Sequence, residues 1–339
     1  MDSVTQFILG ASVGEVCLGK KLGNKALLIG GIAGTIPDLD VFTQWFVQSP
    51  DILLRVHRSY SHAAFIQLFM AIPFVFLSYK IFKKEISVLR LYVFWYLAFL
   101  THTLLDCCTT YGTQLLLPFS NKLVAFNNVA VVDIFYTLIF LVLLLICLFF
   151  KRDDKRRIRF AYASIIISSI YLLMTFYNKH KAFTFFEQQL KTRNINYTNL
   201  SVSPTLFSNF LWNMIAYDDT TMYLAEYSLL QKNDSIDIIS YKRNTNLLAN
   251  IKNTECVKTL LWFSDGKYIV EAKENDTLQF YVTKWGRTDI TKTSTQGALP
   301  FYYKLYTENG AITFKHIKPD SKDIDRKKMF NMFVDRILQ

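Results

Sequence analysis

The sequence predicts an α-helical polytopic membrane bundle followed by a β-rich (α+β) extracytoplasmic domain. Apolar residues make up 51% of the 339-residue chain and its mean hydropathy is +0.19, which is atypical of a disordered or an ordinary soluble protein. Lys and Arg number 17 against 10 Asp and Glu in residues 1–179, and 21 against 17 in residues 180–339. The first half is short of charge, whereas the second half has the composition of a soluble domain. We therefore predict a helical membrane domain over 1–179 and a soluble domain over 180–339.

Six apolar stretches define the predicted bundle. A hydrocarbon core about 30 Å thick requires roughly 20 apolar residues of helix. Four stretches approach that length without any Lys, Arg, Asp or Glu: 63–79, 91–105, 134–150 and 160–178. Two earlier stretches are weaker, because 3–18 contains Glu15 and 26–37 is too short to cross unless it is tilted or only partly inserted. The first stretch is expected to stay attached, since it opens with Met1-Asp2 and lacks the basic region of a signal peptide.

The basic residues orient these stretches. Thirteen of the 17 Lys and Arg residues in the first half, Lys83 and Lys84 among them, fall between stretches one and two, three and four, or five and six. Such residues mark the cytoplasmic side. The other loops, 38–62 and 106–133, contain only Arg55, Arg58 and Lys122 and so face the opposite side. Residues 180–339 are then predicted to be extracytoplasmic. A net charge of +11 could indicate nucleic-acid binding, but membrane topology explains it better, so no nucleic-acid partner is expected.

The second half carries the pattern of an antiparallel β domain. Alternating or β-branched runs recur at 222–230, 235–242, 257–263, 267–272, 277–284, 300–307 and 311–317. Turn dipeptides such as Asn275-Asp276 and Asn309-Gly310 separate several of them. A short helix is expected to start at Ser203-Pro204, with proline at its first position, and a basic amphipathic helix is expected over 323–337. Cys256 is the only cysteine in this half, which excludes a disulfide framework.

Ionisable residues at the ends of the apolar stretches mark the candidate site. Burying such a group is costly unless it is paired or bound to a metal. The predicted topology places all of them on the extracytoplasmic rim: Asp38, Asp40, His57, His62, His102, Asp106 and Asp133. Imidazole and carboxylate together suit zinc or another divalent metal, and His102 and Asp106 share one helical face. We expect a shared site for one to three divalent ions, with zinc favoured. The alternative is that each residue is a helix cap or an interfacial side chain.

Two arginines flank one of these histidines. Arg55 and Arg58 lie on either side of His57, and guanidinium groups beside a metal centre would suit a phosphate group. The alternative is that both arginines contact lipid headgroups. Cys107 and Cys108 follow Asp106 directly, but they are expected to be small packing residues, because no general base is specifically paired with them.

Several motifs of the first half carry a family resemblance. They are Met1 to Gln6, Gly10 to Gly14, Gly34 to Asp40, His57-Arg58 with Ser61-His62, His102 to Asp106, and Tyr111 to Phe119. Together these motifs, which cover most of residues 1–140, resemble the YdjM-like family of bacterial membrane-bound, predicted metal-dependent hydrolases. That family is distantly similar to zinc-dependent phospholipases C and P1-type nucleases.

The resemblance implies phosphoester hydrolysis at a metal centre. By position it places the metal-binding residues on Asp38, Asp40, His57, His62, His102 and Asp106, and it matches Asp133 to a later family aspartate. Ile134 stands where the family pattern is expected to have proline, so the turn after Asp133 departs from that pattern.

Two functions remain open from the sequence. The first is a metal-dependent hydrolase in the bacterial inner membrane, acting on a phospholipid or another lipid-linked phosphoester at its outer face. Asp38 or Asp40 would serve as general base, and Arg55 or Arg58 would hold the phosphate. The second is a non-enzymatic membrane scaffold, in which a structural metal or polar cluster ties helices together while 180–339 binds an envelope partner. An open coordination position would favour the enzyme, since structural zinc is closed by four protein ligands.

Overall fold

Helices form the first half of the chain and antiparallel sheets dominate the second half. The computed structural model describes residues 1–82, 85–232, 235–274, 277–286, 299, 302–308, 310–317 and 326–338. Lys83 and Lys84 of the predicted cytoplasmic loop, the turn residues Asn275-Asp276, and Asn309 lie outside these ranges. The described chain divides into two units: Met1–Val47 with Val56–Thr175, and Gln48–Arg55 with the residues from Phe176 onward.

All six predicted apolar stretches are helical. In chain order the helices of this half are α1 (Ser3–Leu22), α2 (Asn24–Thr35), α3 (Pro50–Val56), α4 (Ala64–Ile81), α5 (Val88–Cys107), α6 (Ile134–Leu148) and α7 (Lys155–Thr192). A 3-10 segment, Ile36–Trp45, continues α2, and a 3-10 turn, Tyr60–His62, precedes α4. Four helical segments of the described chain are long and apolar enough to cross a membrane: Asn24–Trp45, Ala64–Ile81, Val88–Cys107 and Lys155–Thr192. The 3-10 continuation therefore supplies the length that stretch 26–37 lacked.

Glycines bring α1 and α2 into backbone contact. A Cβ atom added to Gly10 would lie 2.3 Å from the carbonyl oxygen of Gly30, and one added to Gly14 would lie equally close to that of Ala26. A Cβ on Gly34 would lie 2.5 Å from the carbonyl oxygen of Gln6. Only glycine permits this approach, as at other close crossings of membrane helices. The crossing places the end of α2, and the 3-10 segment after it, beside the start of α1.

The charge inside the first stretch has a buried partner. Glu15 on α1 accepts two hydrogen bonds of 2.6 Å from Arg157 in the first turns of α7, and both side chains are almost fully buried. Arg157 also donates to Asn24 Oδ1 and to the carbonyl oxygen of Phe150. Arg157, one of the basic residues from which the membrane topology was predicted, therefore forms a buried contact between α1 and α7.

The second unit contains two four-stranded antiparallel sheets. Sequential strands are neighbours in each: β1 (Asn199–Pro204), β2 (Leu211–Tyr217), β3 (Thr221–Ser228) and β4 (Ile239–Lys242) form the first, and β5 (Tyr268–Lys273), β6 (Thr277–Val282), β7 (Tyr302–Glu308) and β8 (Ala311–Ile317) the second. Helix α8 (Glu255–Ser264) connects the sheets, and α9 (Arg326–Leu338) follows the second. The predicted antiparallel character and the basic helix near 323–337 are confirmed.

Two local predictions for this half are wrong. Ser203 and Pro204 do not start a helix, because they end β1, where they pair with Asn213 and Trp212 of β2. The run 257–263 is not a strand, because it forms most of α8. In addition, α7 extends 14 residues beyond the predicted end at 178, and its last turns bury Ala182, Phe186 and Leu190 in a core with residues of the first sheet.

Candidate metal centre

Four of the seven predicted ligands meet at one point in the first unit. Asp38 lies on the 3-10 segment after α2, His62 ends the short turn before α4, and His102 and Asp106 lie in the last turns of α5. One donor atom from each residue lies within 4.8 Å of the other three. The structure therefore confirms that residues far apart in sequence converge here, and among the described residues this group could hold a metal ion.

Five of the six distances between the donor atoms are near those of a tetrahedral ligand set, and all six are within 4.8 Å. His62 Nε2 lies 3.1 Å from His102 Nε2, 3.4 Å from Asp106 Oδ2 and 3.6 Å from Asp38 Oδ1. His102 Nε2 lies 3.4 Å from Asp38 Oδ1 and 3.8 Å from Asp106 Oδ2. Around zinc with bonds of 2.0–2.1 Å, the edges of a tetrahedron are about 3.3–3.4 Å long. Small adjustments of these side chains would thus accommodate one ion.

Both imidazole rings are oriented through their other nitrogen. His102 Nδ1 lies 2.6 Å from the carbonyl oxygen of Gly34, which only accepts, so this nitrogen is the donor and Nε2 carries the lone pair. His62 Nδ1 lies 2.9 Å from Ser61 Oγ. Burial lowers the pKa of His62, but the neighbouring carboxylates of Asp106 and Asp38 outweigh burial and leave its pKa above the ordinary value. The second ring nitrogen of metal-binding histidines is typically held in this way.

Asp106 presents one satisfied and one unsatisfied carboxylate oxygen. Its Oδ1 is contacted by the amino group of Met1 and by Gln6 Nε2. Its Oδ2 is buried and has no hydrogen-bond partner among the described residues. This oxygen lies near the Arg58 guanidinium and His62 Nε2 but accepts no hydrogen bond from them, and a cation among the four donors would satisfy it. The residues present therefore fit a divalent metal.

Arg58 is the arginine that lies at this centre. Its Nε is 3.0 Å from Asp106 Oδ2, an ion pair without hydrogen-bond geometry. Its Nη1 donates to Thr109 Oγ1, and its guanidinium lies over the ring of Tyr111 at 5.0 Å. Arg58 adopts a left-handed backbone conformation with φ of 55°, which is uncommon outside glycine, asparagine and aspartate. The loop thus turns the buried guanidinium toward the aspartate.

Asp40 and His57 form a pair next to the four-residue group. Asp40 Oδ1 lies 3.1 Å from His57 Nδ1, and Oδ2 accepts from the Arg58 amide and from Ser61 Oγ. The same Oδ2 lies 3.5 Å from His62 Nδ1. Asp40 therefore links His57 to His62, although Asp40 and His57 are not among the four clustered residues. In the structure Asp40 and His57 contact the residues next to the four-residue group. Their predicted role as direct metal ligands stays a prediction.

Asp133 and Arg55 lie among other partners. Asp133 caps α6 by accepting from the Tyr136 amide, and it also accepts from the Tyr171 hydroxyl; burial raises its pKa despite these hydrogen bonds. Arg55 belongs to the second unit, where it donates to Thr259 Oγ1 at 2.6 Å and forms an ion pair with Glu255. Neither residue is part of the four-residue group.

Two glutamines near the group escaped the sequence analysis. Gln6 donates to the carbonyl oxygen of His102 as well as to Asp106. Gln67 donates to the carbonyl oxygen of Ser61 and to Thr103 Oγ1. Both are fully buried. Each of them is an uncharged amide inside an apolar stretch, which is unusual. The criterion applied to the sequence, an ionisable side chain at the end of such a stretch, does not select amides.

The fold and the site define a multispan membrane protein with a buried His/Asp group at the end of its helices. The sequence model of the YdjM inner membrane protein family matches residues 1–182, so the chain belongs to that family. The matched region contains all four clustered residues. The similarity to phospholipases C, by contrast, rests on the sequence resemblance alone.

Among curated proteins, the uncharacterized protein YfhP of Bacillus subtilis (strain 168) is 28% identical over 142 residues. This alignment covers 40% of the present chain and 42% of YfhP, so the chain spans less than half the length of that relative. No solved structure matches the chain.

Proposed function

We propose that this protein is a membrane-embedded metal-dependent hydrolase of a lipid phosphoester at the outer face of the bacterial inner membrane. The observation that carries the proposal is the unequal burial of the four donors. His62, His102 and Asp106 are at most 1% exposed, whereas the Asp38 side chain is 24% exposed. A site with three buried donors and one accessible carboxylate leaves one side on which a substrate can approach.

Asp38, His62, His102 and Asp106 would hold the metal, and their nitrogen and carboxylate donors favour zinc. A bound divalent cation would lower the pKa of a coordinated water and offset charge on the phosphoryl oxygens. Gly34 and Ser61 orient the two imidazoles, and Gln6 holds the second oxygen of Asp106.

Arg58 would bind the phosphate. Its Nε and Nη1 face Asp106 and Thr109, and its Nη2 has no hydrogen-bond partner among the described residues. A guanidinium N–H directed at a phosphoryl oxygen stabilises the charge that develops there. Asp40 would act through His57: because Asp40 engages Nδ1, the partly exposed imidazole presents Nε2 to accept a proton.

The test is hydrolysis by purified, metal-loaded protein in lipid nanodiscs against a panel of phospholipids and soluble phosphoesters. Arg58→Ala should lower turnover roughly 10–150-fold, the equivalent of one charge-assisted hydrogen bond in the transition state, with the metal content unchanged. Arg58→Lys should recover only part of that loss, because it keeps the charge but not the fork. Arg55→Ala is the matched control, since its partners lie in the second unit, and should retain turnover.

The scaffold is the second candidate, and one observation favours it. The group offers four protein donors, and four protein ligands are the number that closes a structural zinc site. X-ray absorption spectroscopy of the metal-loaded protein separates the two readings, because a closed site shows protein ligands only and a catalytic site shows an additional oxygen from water. A closed site together with no hydrolysis by the wild-type protein would make the scaffold the better function.

A further inference from the structure

The accessible side of the metal centre lies on an unusual segment. The 3-10 segment Ile36–Trp45 is ten residues long, whereas most 3-10 helices are three to four residues long. It carries Asp38, the only one of the four donors that is appreciably exposed. The one donor of this centre that a substrate can contact therefore lies on this segment.

Most of the exposed residues that follow Asp38 on that segment are apolar, with Gln44 as the polar exception. Phe42 and Trp45 form an aromatic pair with ring centroids 4.5 Å apart. Trp45 is 70% exposed and Phe46, the residue after the segment, is 86% exposed. Leu39 and Val41 are exposed as well. Water would disfavour such a surface, while a membrane interface favours tryptophan and phenylalanine.

This surface continues a membrane span. Residues Asn24–Trp45 form one of the four segments of the described chain that are long and apolar enough to cross a bilayer, so the exposed apolar side chains after Asp38 belong to the same candidate span as Asp38. Phe65, three residues after His62, is also exposed and contacts the exposed Phe119 edge to face. Apolar surface therefore adjoins the segments that carry two of the donors.

We infer that the apolar surface of residues 39–46 is a lateral entry for lipid, by which a substrate keeps its hydrocarbon chains in the bilayer while its phosphate reaches Asp38 and Arg58. The inference rests on the proposed hydrolase and specifies its substrate class, a phosphoester that carries long hydrocarbon chains. A water-soluble phosphoester would gain nothing from this surface.

One pair of variants tests the entry surface through substrate preference. Phe46→Gln should lower kcat/KM for a long-chain phospholipid roughly 10-fold, the size expected when one apolar contact with the substrate chain is lost, and should leave a soluble short-chain phosphoester unaffected. Phe149→Gln is the matched control, because Phe149 is 85% exposed but follows α6 at the end away from Asp133. It should change neither substrate, and both variants should keep their metal.

Tryptophan fluorescence gives a readout that is independent of hydrolysis. The emission of Trp45 is obtained as the difference between the spectra of the wild-type protein and of Trp45→Phe. In nanodiscs whose lipids carry brominated acyl chains, this emission should be weaker than in nanodiscs of unbrominated lipid. Absence of quenching would overturn the entry surface whatever the hydrolysis results, and so would equal losses on both substrates in Phe46→Gln. Hydrolysis of soluble phosphoesters alone would overturn both the entry surface and the lipid substrate, while a metal-dependent phosphoester hydrolase would still stand. If wild-type protein cleaves neither class, the hydrolase and the entry surface fall together.

Discussion

The Nε2 atoms of His62 and His102 lie 3.1 Å apart, although the residues are separated by 40 positions in the chain. His102 Nδ1 donates to the carbonyl oxygen of Gly34, so the Nε2 of this ring carries a lone pair directed at the other histidine. Two imidazole lone pairs at this distance repel each other unless a proton or a cation lies between them. Carboxylate oxygens of Asp38 and Asp106 complete the surroundings, and a divalent cation satisfies all four donors at once.

The first prediction concerns the ligands themselves. His102→Ala and Asp106→Ala should each weaken metal binding by more than the roughly 10–100-fold that substitutions outside the ligand set cost, because each removes one of four donors. Metal content is measured by inductively coupled plasma mass spectrometry on protein purified in detergent, with size-exclusion chromatography as the check on folding.

Asp133→Asn is the control for this prediction. Asp133 lies at the cap of α6 and accepts from Tyr136 and Tyr171, so the variant should keep its metal and lose a modest amount of stability. Full occupancy in His102→Ala and Asp106→Ala, or loss of metal in Asp133→Asn, would contradict the ligand set.

Four of the seven metal-binding residues predicted from the sequence cluster in the structure, and that they bind a metal stays a prediction. The positions of Asp38, His62, His102 and Asp106 followed from two rules, that charges are costly at span ends and that basic loops set orientation. Neither rule could separate a ligand from its neighbour. Asp40 is two residues from Asp38, and only the 3-10 geometry of this segment gives them different partners.

The errors in the second half have a simpler physical origin. Residues 257–263 are rich in apolar side chains, but Val257, Leu260 and Phe263 are the buried ones, and a spacing of three favours a helix over a strand. Ser203-Pro204 has the local chemistry of a helix start, yet pairing with β2 decides its conformation. Such long-range pairing cannot be obtained from a local motif.

The second prediction concerns the glycine crossing behind His102. A Cβ at Gly34 would lie 2.5 Å from the carbonyl oxygen of Gln6 and 2.8 Å from the Cα of Gly10. Gly34→Ala must therefore move the backbone that accepts the hydrogen bond from His102 Nδ1, and we expect about 10–100-fold weaker metal binding along with a lower melting temperature.

Gly14→Ala separates packing from ligand orientation. Its Cβ would lie 2.3 Å from the carbonyl oxygen of Ala26, so it disturbs the same crossing at a position without a contact to His102. Its melting temperature should fall, whereas its metal affinity, measured by competition with a chromophoric chelator, should stay close to that of the wild type. Equal loss of affinity in both variants would show that Gly34 acts through packing alone.

The third prediction concerns the buried ion pair. Glu15→Gln leaves the buried guanidinium of Arg157 without a counter-charge, and breaking a buried pair in this way typically costs about 3–5 kcal/mol. Thermal unfolding in detergent should show a large decrease. Arg156→Gln is the control, because Arg156 pairs with Asp154 at the surface, where such pairs contribute about 0–1 kcal/mol. A double substitution at Glu15 and Arg157 should cost less than the sum of the single ones, and additivity would argue against a direct coupling.

The last prediction concerns the sidedness of the membrane domain, which still rests on the sequence. Basic residues concentrate before α2, between α4 and α5 and around the start of α7, and such clusters stay in the cytoplasm. A reporter inserted near Asp153 should therefore behave as cytoplasmic, and one fused after residue 339 as extracytoplasmic. Paired alkaline phosphatase and green fluorescent protein fusions measure this directly, since each is active on one side only. The reverse pattern would place Asp38 and its partners at the cytoplasmic face, and the substrate would then have to come from the inner leaflet.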